Sequence, residues 1–248
     1  MSGSIGFDSI SVIGQGQFGR LLAEHLAQHA DVRVHDASPA THPAPGTTPV
    51  SLKDAARADV VVPAVNVQHL SKVLDALAPL VSDDTLIADV TSVKVEPVSL
   101  MLDRLPNARV LGTHPLFGPQ SVAEMGLRGQ RLALCPVRID DETYASVRAF
   151  LGGTLGLEII ETTPEDHDRQ MALVQALTHL VGHAAAELDL DDLALGTLAY
   201  RRLRQLATNI SGDSEELFDA IQGRNPYAAG IRARFVEAVE RVRRRAGD

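Results

Sequence analysis

The sequence predicts an α/β chain whose N-terminal part folds around a parallel β-sheet and whose C-terminal part is entirely helical. From residue 9 to about 162, short β-branched runs alternate with helical stretches, which is typical of parallel strands joined by crossover helices. After Thr163, helical periodicity continues to residue 246 without strand signals. We therefore expect one domain over residues 1–162 and a second over residues 163–248.

The individual elements follow from the same patterns. Strands are expected at residues 9–13, 32–35, 60–62, 86–89, 109–112, 131–135 and 157–161, and helices near 18–29, 67–80 and 143–151. The segment 37–49, ASPATHPAPGTTP, is rich in Pro, Ser and Thr, which predicts a surface loop. Residues 165–188 carry more apolar side chains than one exposed helix needs, so we expect them to pack against a second helix.

Composition excludes several classes of function. The net charge of −9 and the aromatic content of 4% without Trp oppose nucleic-acid binding. The single cysteine, Cys135, excludes an internal disulfide and a cysteine-based zinc cluster. No apolar run approaches the roughly 20 residues of a membrane span, and the first residues do not resemble a signal peptide. We expect a cytoplasmic protein without a membrane or nucleic-acid partner.

A glycine-rich turn follows the first expected strand. The segment ISVIGQGQFGRLLAEHL places Gly14, Gly16 and Gly19 between that strand and an amphipathic helix. In a Rossmann dinucleotide-binding domain these three glycines permit the tight turn, the approach of the pyrophosphate, and close packing of the helix on the strand. We therefore expect the GQGQFG segment, including Gln15, Gln17 and Phe18, to bind a dinucleotide.

An acidic residue at the end of the second strand supports the same interpretation. Asp36 lies 22 positions after Gly14, where a carboxylate can bind the ribose hydroxyls. Its charge repels a 2′-phosphate, and Ala37 and Ser38 supply no guanidinium, so we expect NAD as the cofactor and not NADP. Arg33 weighs against this preference. A glycine-rich turn that binds another nucleotide, or none, is the alternative.

Two further segments supply candidates for chemistry at the carboxyl ends of strands. Ser92 and Lys94, in DVTSVK, follow one strand, although an ordinary helix cap explains them equally well. His114, in VLGTHPLFGP, is expected just past a strand end, in a loop stiffened by prolines. Histidine suits proton transfer near neutral pH. On composition alone, a histidine without a chemical role fits this position equally well.

These segments together resemble the prephenate and arogenate dehydrogenases of tyrosine biosynthesis. GQGQFG, DVTSVK, GTHPLFGP and EDHDRQMALVQALTHLVGHA occur in that family's order and spacing, over nearly the whole chain. The resemblance implies an N-terminal Rossmann domain and a C-terminal helical domain that builds a homodimer. It also implies oxidation of a cyclohexadienol carboxylate at C4, with hydride transfer to NAD(P) and loss of the ring carboxylate as carbon dioxide.

The resemblance assigns roles to matching positions. His114 matches the catalytic histidine that accepts the proton of the C4 hydroxyl, and Ser92 matches a serine that contacts the same hydroxyl. His179 matches a histidine of the substrate pocket. We assign Lys94 and Gln175, within the matching segments, to substrate binding as well.

One position departs from the family pattern. Asn209 stands where many members have an arginine that binds a substrate carboxylate, so it too is a candidate substrate-binding residue. Nearby arginines that could supply the charge, or simply be solvated helix residues, are Arg201, Arg202, Arg204 and Arg232. The departure leaves open prephenate, arogenate, and 4-amino-4-deoxyprephenate of antibiotic biosynthesis, in which C4 carries an amine.

No metal is expected. His25 and His29 are four residues apart but lack the HExxH order of zinc proteases. His179 and His183 have the same spacing and could in principle bind a metal, but the resemblance makes His179 a substrate contact and His183 a core or interface residue. Two other classes remain open: a non-catalytic NAD-binding regulator, and a different Rossmann oxidoreductase such as a 3-hydroxy acid or imine reductase. Retention of His114 and Ser92 opposes the regulator, and the HPLFGP segment opposes the other reductases.

Overall fold

The computed structural model of the chain describes residues 7–38 and 41–247. They divide into two compact units, of which the first ends at Pro164 and the second begins at Glu165. Residues 1–6 and 248 of the expected domains, and residues 39–40 of the expected loop, lie outside the described residues. No helix in the described ranges combines the length and the apolar character that a membrane crossing requires.

The first unit is built on one eight-stranded sheet. In spatial order the strands run β3-β2-β1-β4-β5-β6-β7-β8. They are β1 (Ser9–Ile13), β2 (Asp31–His35), β3 (Thr48–Pro49), β4 (Val60–Pro63), β5 (Leu86–Ala88), β6 (Arg109–Pro115), β7 (Arg131–Arg138) and β8 (Glu158–Glu161). All neighbouring strands are parallel except β6 and β7. The predicted α/β class is confirmed, but the expectation of a fully parallel sheet is wrong for this one pair.

Helices connect these strands. They are α1 (Gln17–Leu26), α2 (Leu52–Ala55), α3 (Val67–Leu77), α4 (Val95–Arg104), α5 (Pro119–Met125) and α6 (Asp141–Arg148), and a π-helical segment, Ala149–Thr154, continues α6. Both faces of the sheet are buried: Val60 and Val62 of β4 belong to one apolar cluster, and Val61 belongs to the other. Such continuous apolar strands are typical of parallel sheets covered on two sides.

Two helices that were not expected from the sequence, α4 and α5, each contain a proline in the first turn. Pro97 looks like a helix breaker, yet it lies in the first turn of α4, where a backbone N–H has no partner within the helix. Pro119 is the first residue of α5, a position that proline favours for the same reason. The expected loop over residues 37–49 also contains the short edge strand β3, which pairs with β2 through Arg33 and Val34.

The expected strand at residues 109–112 is longer in the structure. The antiparallel neighbour β7 pairs with β6 as far as Pro115, opposite Leu132. His114 consequently lies inside β6, opposite Ala133, and not just past the strand end as predicted. The ladder with β7 therefore fixes the backbone on both sides of this histidine.

The second unit is helical throughout its regular structure in the described residues 165–247. It contains α7 (Pro164–Met171), which continues through a π-helical turn, Ala172–Ala176, into α8 (Leu177–Ala186). The remaining helices are α9 (Leu198–Ile210), α10 (Glu215–Gly223) and α11 (Ala228–Ala246). A Cβ atom at Gly182 of α8 would lie 2.4 Å from Cδ1 of Ile210, so α8 and α9 approach closely at this glycine.

Candidate functional site

The turn between β1 and α1 requires glycine at its first position. Gly14 has a φ of +101°, and a Cβ atom there would lie 2.4 Å from the carbonyl oxygen of Ala64. Its N–H donates to the carbonyl of His35 at 2.8 Å, which ties the turn to the end of β2. A side chain at this position would therefore disrupt the local packing of the protein itself.

Gly19 and Gly16 suit glycine for two different reasons. A Cβ atom at Gly19 would lie 2.1 Å from the carbonyl oxygen of Gly14, so the close contact of α1 with the turn depends on Gly19. A Cβ atom at Gly16 would meet no atom within 4 Å. Gly16 is also the N-cap of α1 and provides no side-chain hydrogen bond to the helix. The positive end of α1 thus opens onto space that can take an anion.

The remaining residues of the GQGQFG segment have their own surroundings. The Gln15 side chain is buried, donating from Nε2 to the carbonyl of Gly14 at 3.2 Å and accepting from the N–H of Ala44 at 3.3 Å. Gln17 is exposed, and the ring of Phe18 packs 6.1 Å from that of Phe117, centroid to centroid. Gln17 and Phe18 are the first two residues of α1, so their backbone N–H groups have no partner within the helix.

Asp36 follows β2 directly and is held by backbone donors. Its carboxylate accepts the N–H of Gln15 at 2.6 Å and the N–H of Ser38 at 2.8 Å. Burial raises the pKa of Asp36, but the hydrogen bonds from Ser38, Gln15 and Thr41, together with the Coulombic effect of His35, outweigh it, and the net pKa is lowered. Asp36 is therefore ionised at neutral pH, beside the glycine turn that its contact with Gln15 fixes.

The loop between β5 and α4 is anchored by a buried ion pair. The side chains of Lys94 and Asp89 are both fully buried, and Nζ of Lys94 contacts the Asp89 carboxylate and the carbonyl of Thr113. Asp89 also accepts the N–H of Thr113 at 3.2 Å and the N–H of Thr91 at 3.0 Å. Lys94 was expected to bind substrate, but its ammonium is directed into this network, which holds the loop against β6.

Ser92 and His114 each directly follow a residue of that network, Thr91 and Thr113 respectively. Ser92 is half-buried in the anchored loop, two residues before Lys94. His114 is 4% exposed and directly follows Thr113, which the network binds. Because β1, β5 and β6 are parallel members of one sheet, the glycine turn, the Ser92 loop and His114 share its carboxyl edge.

The other predicted substrate residues belong to the second unit. His179, on α8, has its Nδ1 atom 3.0 Å from Oδ2 of Asp213. Burial lowers the pKa of His179, Asp213 opposes this shift, and His183 adds to it, with a net lowering. Gln175 is half-buried in the π-helical turn. Asn209 is exposed on α9 and accepts a hydrogen bond from Gln205 at 2.6 Å.

The arginines considered as replacements at Asn209 have local roles or are exposed. Arg204 donates to the carbonyl of Leu190 at 3.2 Å, and Arg232 donates to Oε1 of Gln222 at 3.1 Å. Arg201 and Arg202 are exposed on α9.

The sequence interpretation missed two acidic residues. Asp89 ends the segment before the Ser92 loop, and an acid directly after a buried strand could have marked it as a partner for Lys94. Asp213 lies in the turn between α9 and α10 and meets His179 only through the packing of the helices. No local pattern indicated that second contact.

Comparison with known proteins assigns the chain to a family. Residues 40–158 match the family model for the prephenate dehydrogenase nucleotide-binding domain. Arogenate dehydrogenase 2, chloroplastic, of Arabidopsis thaliana is 30% identical over 95% of this chain, which covers 69% of that protein. Arogenate dehydrogenase 1, chloroplastic, of the same plant is 32% identical over 95% of this chain, which spans only 39% of its length.

A further relative and a solved structure agree with this family assignment. The 4-amino-4-deoxyprephenate dehydrogenase of Streptomyces pristinaespiralis is 27% identical over 96% of this chain and 87% of that protein. The crystal structure of prephenate dehydrogenase from A. aeolicus, in complex with hydroxyphenyl propionate and NAD+, has the same fold. Its TM-score is 0.75 at 17% identity, over 96% of this chain and 90% of that chain. This chain belongs to the prephenate and arogenate dehydrogenase family.

Proposed function

We propose that this chain is an NAD-dependent dehydrogenase that oxidises and decarboxylates a prephenate-like cyclohexadiene to an aromatic product. One observation carries the proposal: the glycine turn, Ser92 and His114 share the carboxyl edge of the parallel strands. Ligands of doubly wound sheets bind outside this edge. Membership of a dehydrogenase family supports the reaction class.

The first unit fits a dinucleotide cofactor. Open space at Gly16, at the N-terminus of α1, accommodates a pyrophosphate close to backbone N–H groups. Asp36 carries a negative charge next to this turn, which suits ribose hydroxyls and opposes a 2′-phosphate. The NAD+ present in the A. aeolicus structure supports the same choice. When bound, NAD supplies the acceptor for hydride.

The contrast between the glycines gives a direct test of this site. We expect Gly16→Ala to fold with the thermal stability of the wild type, because the added methyl group meets no protein atom. We expect its NAD affinity to fall at least about tenfold, or about 1.4 kcal/mol, because the methyl group occupies the space for the pyrophosphate. Calorimetric titration with NAD and a melting curve measure the two effects.

The matched control is Gly14→Ala. Its methyl group would overlap the carbonyl of Ala64, and φ at this position is +101°, so this variant should lose thermal stability. Equal NAD affinity for Gly16→Ala and the wild type would contradict the proposed cofactor position.

The residues at the sheet edge suit proton removal from C4. His114 accepts the proton from the C4 hydroxyl or amine, and Ser92 hydrogen-bonds to the same group. Removal of the proton by His114 raises electron density at C4, which favours departure of hydride from that carbon. Loss of the ring carboxylate as carbon dioxide then completes an aromatic ring. Burial of His114 keeps bulk water from the imidazole.

The substrate is tested by supplying three compounds. Purified protein is mixed with NAD and with prephenate, arogenate or 4-amino-4-deoxyprephenate, and NADH absorbance is followed. We expect NADH to form with at least one of them. No NADH with any of the three would contradict the proposed reaction and would favour a non-catalytic NAD-binding regulator.

A specific observation favours the amino compound as a second candidate. The resemblance places Asn209 where many family members carry an arginine that binds a substrate carboxylate, and in the structure its amide oxygen accepts a hydrogen bond from Gln205. The relative from Streptomyces pristinaespiralis, a 4-amino-4-deoxyprephenate dehydrogenase, matches this chain over 87% of its own length. A clear preference for prephenate in the three-compound assay would remove this candidate.

The proposed enzyme acts as a homodimer formed through its helical unit. Large apolar side chains are exposed on the π-helical turn and on one side of α11; they are Leu173, Val174, Val236, Val239 and Val242. Exposed apolar side chains grouped in this way are typical of surfaces that another chain covers. A second copy of this chain is the partner that we propose.

A further inference from the structure

Three polar side chains converge in the second unit. His179, His183 and Asp213 each offer a ligand atom, and these atoms lie within 4.8 Å of one another. The atoms His179 Nδ1, His183 Nε2 and Asp213 Oδ2 are all buried and make no hydrogen bond. Nδ1 of His179 lies 3.0 Å from Oδ2 of Asp213, but the two are not aligned as a hydrogen bond. Unbonded polar atoms in the interior are costly, and here three occur together.

The helices hold this arrangement firmly. His179 and His183 are four residues apart on α8 and therefore lie on the same face. The close contact at Gly182 and Ile210 brings the end of α9 against α8. The N–H of Asp213 donates to the carbonyl of Ile210 at 3.0 Å, which fixes the turn that carries the carboxylate. The ring of His183 packs edge-on against Phe218, with centroids 4.8 Å apart.

We propose that His179, His183 and Asp213 form a binding site for a divalent transition metal ion of the zinc type. Two imidazole nitrogens and one carboxylate oxygen are the donors that zinc uses in sites with three protein ligands, which leave the fourth tetrahedral position to water. Mg²⁺ and Ca²⁺ prefer shells made of oxygen and fit this donor set less well.

The separations of the ligand atoms are compatible with such a shell. Metal bonds of about 2.1 Å place neighbouring tetrahedral ligands about 3.4 Å apart. The atoms here are already within 4.8 Å, so side-chain rotations that move them by about 1 Å complete the geometry. An ordinary hydrogen bond between His179 and Asp213 would leave Nε2 of His183 unbonded, whereas one metal ion satisfies all three atoms.

Direct metal binding tests this site. The full chain, treated with a chelator and dialysed, is titrated with Co²⁺ and then with Zn²⁺. We expect one ion per chain, visible absorption bands typical of tetrahedral Co²⁺, and loss of these bands when Zn²⁺ is added. His183→Gln and Asp213→Asn should each weaken Zn²⁺ binding at least about tenfold, because each removes a ligand.

The matched control is His29→Gln, which removes one member of the other histidine pair spaced by four residues. It should leave Zn²⁺ affinity unchanged. Circular dichroism checks that each variant is folded, and Asp213→Asn remains informative if a change at His183 unfolds the protein. Absence of bound metal, or equal affinity in the wild type and Asp213→Asn, would overturn the proposal. Neither result depends on the proposed dehydrogenase reaction, because the readout is metal binding and not turnover.

Discussion

Replacement of His114 by alanine is expected to lower kcat by about 100-fold to 10,000-fold, the range typical for loss of a general base. His114 is the one imidazole that the described part of the chain holds within β6, at the edge shared with the glycine turn. Without it, no imidazole at this position can take the proton from C4. Steady-state assays with the preferred substrate measure this loss.

NAD binding should be unchanged in His114→Ala. The residues assigned to NAD lie between β1 and α1 and after β2, away from β6 in the strand order, so calorimetric NAD affinity should match the wild type. His69→Ala is the matched control, because His69 is an exposed histidine on α3. If His114→Ala oxidised substrate at the normal rate, the proposed mechanism would be wrong even though the fold is right.

Of the proposed variants, Lys94→Met should lower the free energy of unfolding the most. Lys94 and Asp89 form an ion pair in which both side chains are fully buried. Methionine retains the bulk of the lysine but leaves the Asp89 charge without its counter-ion, which costs about 3–5 kcal/mol in the free energy of unfolding. Urea denaturation of the variant and the wild type measures the difference.

A double variant separates charge from packing. In Lys94→Met/Asp89→Asn, no unpaired charge remains, and the amide oxygen at position 89 can still accept from Thr113 or Thr91. The double variant should therefore be more stable than Lys94→Met alone. Lys72→Met, at an exposed lysine on α3, is the control and should change stability by less than about 0.5 kcal/mol. A loss below about 1 kcal/mol in Lys94→Met would show that the ion pair does not stabilise this loop.

Those parts of the fold that depend on neighbouring residues could be predicted from the sequence. The strand at Ser9–Ile13 and the glycine turn after it could be predicted from residues close in sequence, because β-branched runs and glycine spacing determine local conformation directly. Asp36 follows from its place at a strand end. The parallel order of β1, β5 and β6 then brings the glycine turn, the Ser92 loop and His114 to one edge of the sheet. Sequence pattern and sheet topology together were therefore enough to predict that these segments share an edge.

Features that depend on distant partners could not be predicted in this way. His114 was expected in a loop, because nothing within residues 109–115 indicates that β7 returns antiparallel and extends the ladder. Lys94 was expected at a substrate, because its pairing with Asp89 depends on burial, which periodicity does not measure residue by residue. Asp213 reaches His179 only because Gly182 lets two helices approach each other.

The π-helical turn at Ala172–Ala176 has a consequence for how this chain tolerates changes in length. A π turn contains one residue more than an α turn, so deletion of a single residue there can leave an uninterrupted α-helix. Such a deletion would leave α7 close to its present orientation about the helix axis, because the wider turn accommodates the extra residue without changing the direction in which the flanking residues face. His167 and Asp168 would therefore stay buried. A single deletion within α8 would instead rotate the preceding residues by roughly 100°, because each residue of an α-helix turns by that angle. Homologous chains that lack one residue within Ala172–Ala176 would therefore present the same face of α7.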